Sequence, residues 1–231
     1  MLEGMSVVDL SAILHAGTVM WPGAPAPVAE TLLTVADNGF YARRVSVFEH
    51  TGTHFDAPCH FIEGSADVAS VPASQLVVPL RVLDIAADIG SDADGVLTLA
   101  QVHVHEAEHG AIPPGAAVFV RTGWEDKHTD ARAYAGPEGD LHFPGIGVAA
   151  AQYLVTEREV IGLGTDTLGI DPGCASDFPV HSQVSHPRGV WHVENLINLA
   201  QVPAVGAWVV VGVPKLAAGS GFPARVLALV P

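Results

Sequence analysis

Apolar and β-branched residues occur along this chain in short runs separated by glycine, proline and polar turns, a pattern that belongs to strands more than to helices. The runs at 6–10, 30–36, 42–49, 77–85, 117–121, 160–164, 208–213 and 225–230 predict strands. Two stretches predict helices. One covers 98–109, where Thr98 and Gln101 form a capping box and Gly110 suits the end; the other is the alanine-rich 147–156. Between the runs lie polar loops such as 125–140, with no internal repeat, low-complexity tract or linker. A single mixed α/β domain over residues 1–231, with strands dominating, is the expected fold class.

Composition changes this picture in three ways. A chain of 231 residues suits one domain of ordinary size with a real core. Hydrophobic residues make up 49% and charged ones only 15%, so part of the surface is expected to vanish into a homo-oligomer, a dimer or tetramer. The formal charge of -15 argues against nucleic-acid or anionic-membrane partners, which select basic patches, and leaves a small molecule as the expected substrate. Cys59 and Cys174 cannot build a disulfide framework. The start at Met1 lacks a basic region and Asp9 interrupts the first apolar run, unlike a signal peptide. The most apolar tract, 204–213, is bounded by Pro203 and Pro214 and is too short to span a bilayer. A cytoplasmic enzyme is expected.

The chemistry is concentrated in His-Thr-Gly-Thr-His-Phe-Asp-Ala-Pro-Cys-His-Phe, residues 50–61. His50, His54, Asp56 and His60 occupy even positions and would share one face of an extended chain. Ten extended residues span roughly 33 Å. Donors about 2.0 to 2.2 Å from one metal, by contrast, lie within about 4 Å of each other. The segment must bend, and Gly52 and Pro58 are where bending is easiest. Cys59, at an odd position, is expected to be a small buried hydrophobe. His105-Glu106-Ala107-Glu108-His109 satisfies the His-Glu-x-x-His pattern of zinc proteases, but its helix stops at the second histidine and no third ligand follows, so it reads as an exposed polar face. His15, His128 and His142 read as surface or satisfied core histidines, and His192 as a surface histidine.

Residues 50–61 match every fixed position of the hallmark His-x-Gly-Thr-His-x-Asp-Ala-Pro-x-His-Phe, and the chain thereby resembles the cyclase-like metal-dependent hydrolases, which include bacterial kynurenine formamidase and isatin hydrolase. Trp21-Pro22-Gly23, Phe178-Pro179-Val180-His181 and Glu194-Asn195-Leu196 extend the resemblance over about Val8 to Leu199. The gap from His181 to Glu194 is one residue longer than in the family, which makes His186 a rival for the distal ligand; the preceding Asp177-Phe178-Pro179 favours His181. The resemblance implies a swivelling β/β/α architecture. It implies Zn2+ or Mn2+, one or two ions, held by His50, His54, Asp56, His181 and Glu194, with both carboxylates able to bridge. It further implies His60 as general acid and base and Trp21 as a wall of the substrate pocket. A metal-activated water would then cleave an amide bond, that of an aryl formamide such as N-formylkynurenine or of an isatin-like lactam. A lactone or ester hydrolase, a polyketide-type cyclase and a non-catalytic metal-binding protein are the alternatives. Trp191 and Phe178 could add apolar wall. Asp166 could orient a ligand histidine or cap its own turn.

Overall fold

The computed structural model describes residues 4–137 and 139–231. Its centre is a nine-stranded sheet that runs, edge to edge, Ser6–Asp9, Arg225–Val230, Trp208–Gly212, Val77–Asp84, Ala117–Arg121, Gly162–Thr165, Trp191–Glu194, His54–Asp56 and Gly221–Pro223. The four strands from Val77–Asp84 to Trp191–Glu194 are mutually parallel, and antiparallel strands flank them on both sides. The predicted α/β class is therefore present, with parallel strands at its heart and the antiparallel edges usual in a mixed sheet.

Strand alternation distributes the core to two faces. In Ala117–Arg121, Ala117 and Phe119 join one apolar cluster with Phe55, Trp191 and Val193. Val118 and Val120 join the other, beneath the helices Leu99–His109 and Val148–Thr156. The first helix starts as expected: Thr98 Oγ1 accepts from Gln101 N and Gln101 Oε1 accepts from Thr98 N.

Every predicted run carries a strand, with the expected ends at 117–121 and 225–230 and displaced ends elsewhere. The 30–36 run becomes strand Val28–Leu33 followed by a helical turn, Val35–Asn38, whose Asp37 amide is capped by Thr34. It pairs with Ala42–Ser46 as a separate two-stranded hairpin outside the main sheet. His54–Asp56, Trp191–Glu194 and Gly221–Pro223 were not predicted, being short and, in the first two, half or more polar.

Candidate metal centre

The two unpredicted polar strands build the site. His192 lies opposite Asp56 and Glu194 opposite His54 in their antiparallel pairing. Phe55 and Val193, one residue out of phase, enter the apolar core, so alternation turns His54, Asp56, His192 and Glu194 to the other face. The chain bends into this strand at Gly52, whose φ of +58° suits glycine, and leaves it at Pro58, which opens the short 3-10 turn Pro58–His60. His181 arrives from above in the π-helical turn Val180–Ser185. Gly221 lies close under the first histidine, where a Cβ would meet His50 Cε1 at 2.6 Å.

Hydrogen bonds fix which ring nitrogen faces inward. His54 Nδ1 donates to Gly52 O at 2.8 Å. His181 Nδ1 donates to Asp171 Oδ2 at 2.6 Å. Ser220 Oγ gives its proton to Glu49 Oε2 and receives that of His50 Nε2 at 3.0 Å. The remaining nitrogens therefore present lone pairs to carboxylates: His50 Nδ1 is 2.6 Å and His54 Nε2 3.1 Å from Asp56 Oδ1, and His181 Nε2 is 3.2 Å from Glu194 Oε1. The second carboxylate oxygens are also shared, Glu194 Oε2 lying 3.5 Å from His54 Nε2 and Asp56 Oδ2 3.8 Å from His181 Nε2. Bare lone pair against carboxylate is repulsive unless a proton or a cation lies between. Without a cation the protons bind. Burial works against this, but Asp56 and Glu194 raise His54 to about 9, and Asp171, Asp56 and Glu194 hold His181 well above the ordinary range. Despite its own burial, Asp56 is driven well below the carboxylate range by His54 and His50. The donors are imidazole nitrogens and carboxylate oxygens, two of the histidines are oriented by a carboxylate or carbonyl behind them, and the set fits zinc or manganese.

His60 is half-buried, stacked on His50 with ring centroids 3.8 Å apart and 6.3 Å from His181. Burial, reinforced by the surrounding histidines, lowers it to about 4 and keeps the ring neutral. The cluster forms the floor of a cavity of about 230 Å3 whose walls include Trp21, Phe48, Phe61 and Phe178. Trp21 meets Phe178 at 5.7 Å and Phe143 edge-on at 6.3 Å. Phe48 and Phe61 went unnoticed in the sequence, though Phe61 closes the motif itself.

Several expectations need correction. Trp191 is no pocket wall; it is fully buried in the core against Phe55. His192 is not on the surface but has no exposure at all, because its strand lies between two others. Cys59 is half-buried rather than buried. Asp166 caps its own neighbourhood, accepting from Thr122 N, Thr122 Oγ1 and Gly123 N, while the histidine-orienting part falls to Asp171. His186 is buried with both ring nitrogens unpartnered, its ring 5.2 Å from that of His181; it does not reach the carboxylates as His181 does. On the Leu99–His109 helix His105 is nearly buried rather than exposed, and Glu106 turns away from both histidines to bind Arg158, Tyr153 and the Ile112 amide. Those bonds, Arg158 foremost, hold Glu106 at about 2.

A buried imidazole–carboxylate cluster on the floor of a cavity, at the edge of a parallel sheet with antiparallel flanks, defines a metal-dependent hydrolase. The Cyclase family pattern matches residues 8–172, and the chain belongs to that family. The isatin hydrolase of Roseibium aggregatum is 34% identical over 206 residues, 85% of this chain and 78% of that one. The kynurenine formamidase of Paracidovorax citrulli is 29% identical over 231 residues, 96% of each chain. Among solved structures, an isatin hydrolase bound to the product analogue thioisatinate matches with a TM-score of 0.93 at 30% identity, over 99% of this chain and 94% of that one. The expected swivelling β/β/α architecture stands with these matches.

Proposed function

We propose that this chain hydrolyses the C–N bond of an amide attached to an aromatic ring, an isatin-like lactam or an aryl formamide such as N-formylkynurenine. The observation that carries the reading is the convergence of lone-pair nitrogens from His50, His54 and His181 on the Asp56 and Glu194 carboxylates beneath an aromatic-walled cavity. Each carboxylate turns one oxygen toward His54 and the other toward His181, an arrangement in which His50, His54, Asp56, His181 and Glu194 would hold one or two zinc or manganese ions. A divalent ion there supplies a Lewis acid for the carbonyl and lowers the pKa of water. Trp21 and Phe178 hold the aryl group against the apolar wall. His60, neutral and beside the cluster, takes a proton from the attacking water and returns one to the leaving nitrogen. Asp171 behind His181 and the Gly52 carbonyl behind His54 keep each ring turned inward.

The reading takes residues 1–231 as one domain, placed in the cytoplasm, and the hairpin supports a homo-oligomer, dimer or tetramer: Val28, Val45 and Tyr41 on it are more than half exposed. A monomer in sedimentation velocity at micromolar concentration counts against that part. No helix among the described residues is long and apolar enough to cross a membrane. The main test loads the purified protein in turn with zinc and manganese, then measures turnover of N-formylkynurenine and isatin together with metal content. Metal-dependent turnover of either supports the reading. Bound metal without turnover of both rejects aryl amides and turns the search to lactones and esters.

A further inference from the structure

His192 is one of the buried titratable groups that the mechanism leaves unused, and it stands nearest the carboxylates. It stands directly across the strand pair from Asp56, on the same face as Glu194. Its ring meets that of His181 at 4.5 Å, edge to face, and stacks on His186 at 4.2 Å. Asp56, His181, His192 and Glu194 each bring a ligand-type atom within 4.8 Å of the others, and all four are buried. Hydrogen bonding again settles the tautomer. Ser185 Oγ donates to Val180 O at 2.7 Å, so it can only accept from His192 Nε2, 2.8 Å away. Nδ1 is then a lone pair with no partner, in a residue without solvent exposure. An unsatisfied buried nitrogen of this kind is destabilising unless something fills its lone pair.

We propose that His192, through Nδ1, is the fourth protein donor to the second of the two cation positions, the one it shares with Asp56, His181 and Glu194. Two carboxylate oxygens and two imidazole nitrogens make a complete tetrahedral set for zinc. The first position would be held by His50 and His54 with the other oxygens of the same two carboxylates. The inference rests on the metal-dependent reading above and adds to it a donor that the mechanism does not use.

Zinc stoichiometry and competition titration against a chelating indicator test it on the full chain, with two variants of opposite design. His192→Gln places its amide near the Nε2 position, keeping a partner for Ser185 and removing the δ donor; His192→Asn does the reverse. The expected result is two ions in the wild type, with the affinity of one lowered in His192→Gln by at least about 100-fold, the upper end of what even indirect ligand support contributes. His192→Asn should fall less. Equal binding by His192→Gln and the wild type, or a larger loss in His192→Asn, overturns the proposal while leaving the metal centre in place. A wild type that takes up no zinc removes the metal reading itself and this inference with it. If neither variant folds, zinc-edge X-ray absorption of the two-ion wild type decides: four imidazoles shared by two ions support the assignment and three overturn it.

Discussion

Two regions among the described residues, the cluster around Asp56 and the Leu99–His109 helix, each gather several histidines with carboxylates, and of these two the first alone is built to hold a metal ion. On the Leu99–His109 helix, His105 and His109 sit a turn apart with rings 4.9 Å from each other, but the acidic residue between them is already neutralised by Arg158. In the centre, five side chains from three segments of the chain face each other with no lysine or arginine among them, so only a proton or a cation can sit between the inward nitrogens and the carboxylates. Spacing along one helix can place ligands on one face. It cannot arrange that their charges stay uncompensated, which is what creates affinity for a cation.

The largest effect should come from Asp56→Ala, which removes the one carboxylate touching all three inward histidines. Metal analysis should find the centre emptied and turnover should vanish; retained metal would break the contrast between the two regions. Next comes His60→Ala, expected to keep metal and lose about two to four decades of rate. Loss of metal instead would make His60 a ligand. Asp171→Asn should weaken metal binding by about 10–100-fold through the freed His181 ring, measured by competition titration. Acidity should act in the same direction. Because His54 sits at about 9 without metal, binding must expel its proton, so apparent affinity should fall steadily as pH drops below about 9. The smallest functional effect belongs to the other region. The double variant His105→Ala, His109→Ala should leave metal content and turnover unchanged, and loss of both would reverse the assignment. Glu106→Gln should also spare activity, yet lower the midpoint of chemical denaturation slightly, since it weakens a half-buried charge-assisted pair with Arg158.

How much of this was legible varies with the element. The capping box of Thr98 and Gln101 and the β-branched runs are local signals, and they appear where the pattern put them. The strand Trp191–Glu194 is a different matter. Its alternation places Trp191 and Val193 in the core and His192 and Glu194 on the site face, so half of it looks like a polar loop. The same reason hid His192. Asp171 and Asp166 are five residues apart and similar in local chemistry; only the packing of the Val180–Ser185 turn assigns one to His181 and the other to Thr122.

By itself the sequence determined the chemistry: imidazoles and carboxylates of a metal site, the bend that Gly52 and Pro58 permit, and a hallmark dense enough to indicate the family. Those are properties of residue type and short-range spacing. The tertiary structure decided which histidine completes the centre, which carboxylate orients it, which aromatic side chains wall the cavity, and that the protease-like motif is closed by Arg158. These depend on cross-strand register and on hydrogen-bond partners from separate segments, such as His181 with Asp171, Glu106 with Arg158 and His50 with Ser220, and no local pattern carries that information.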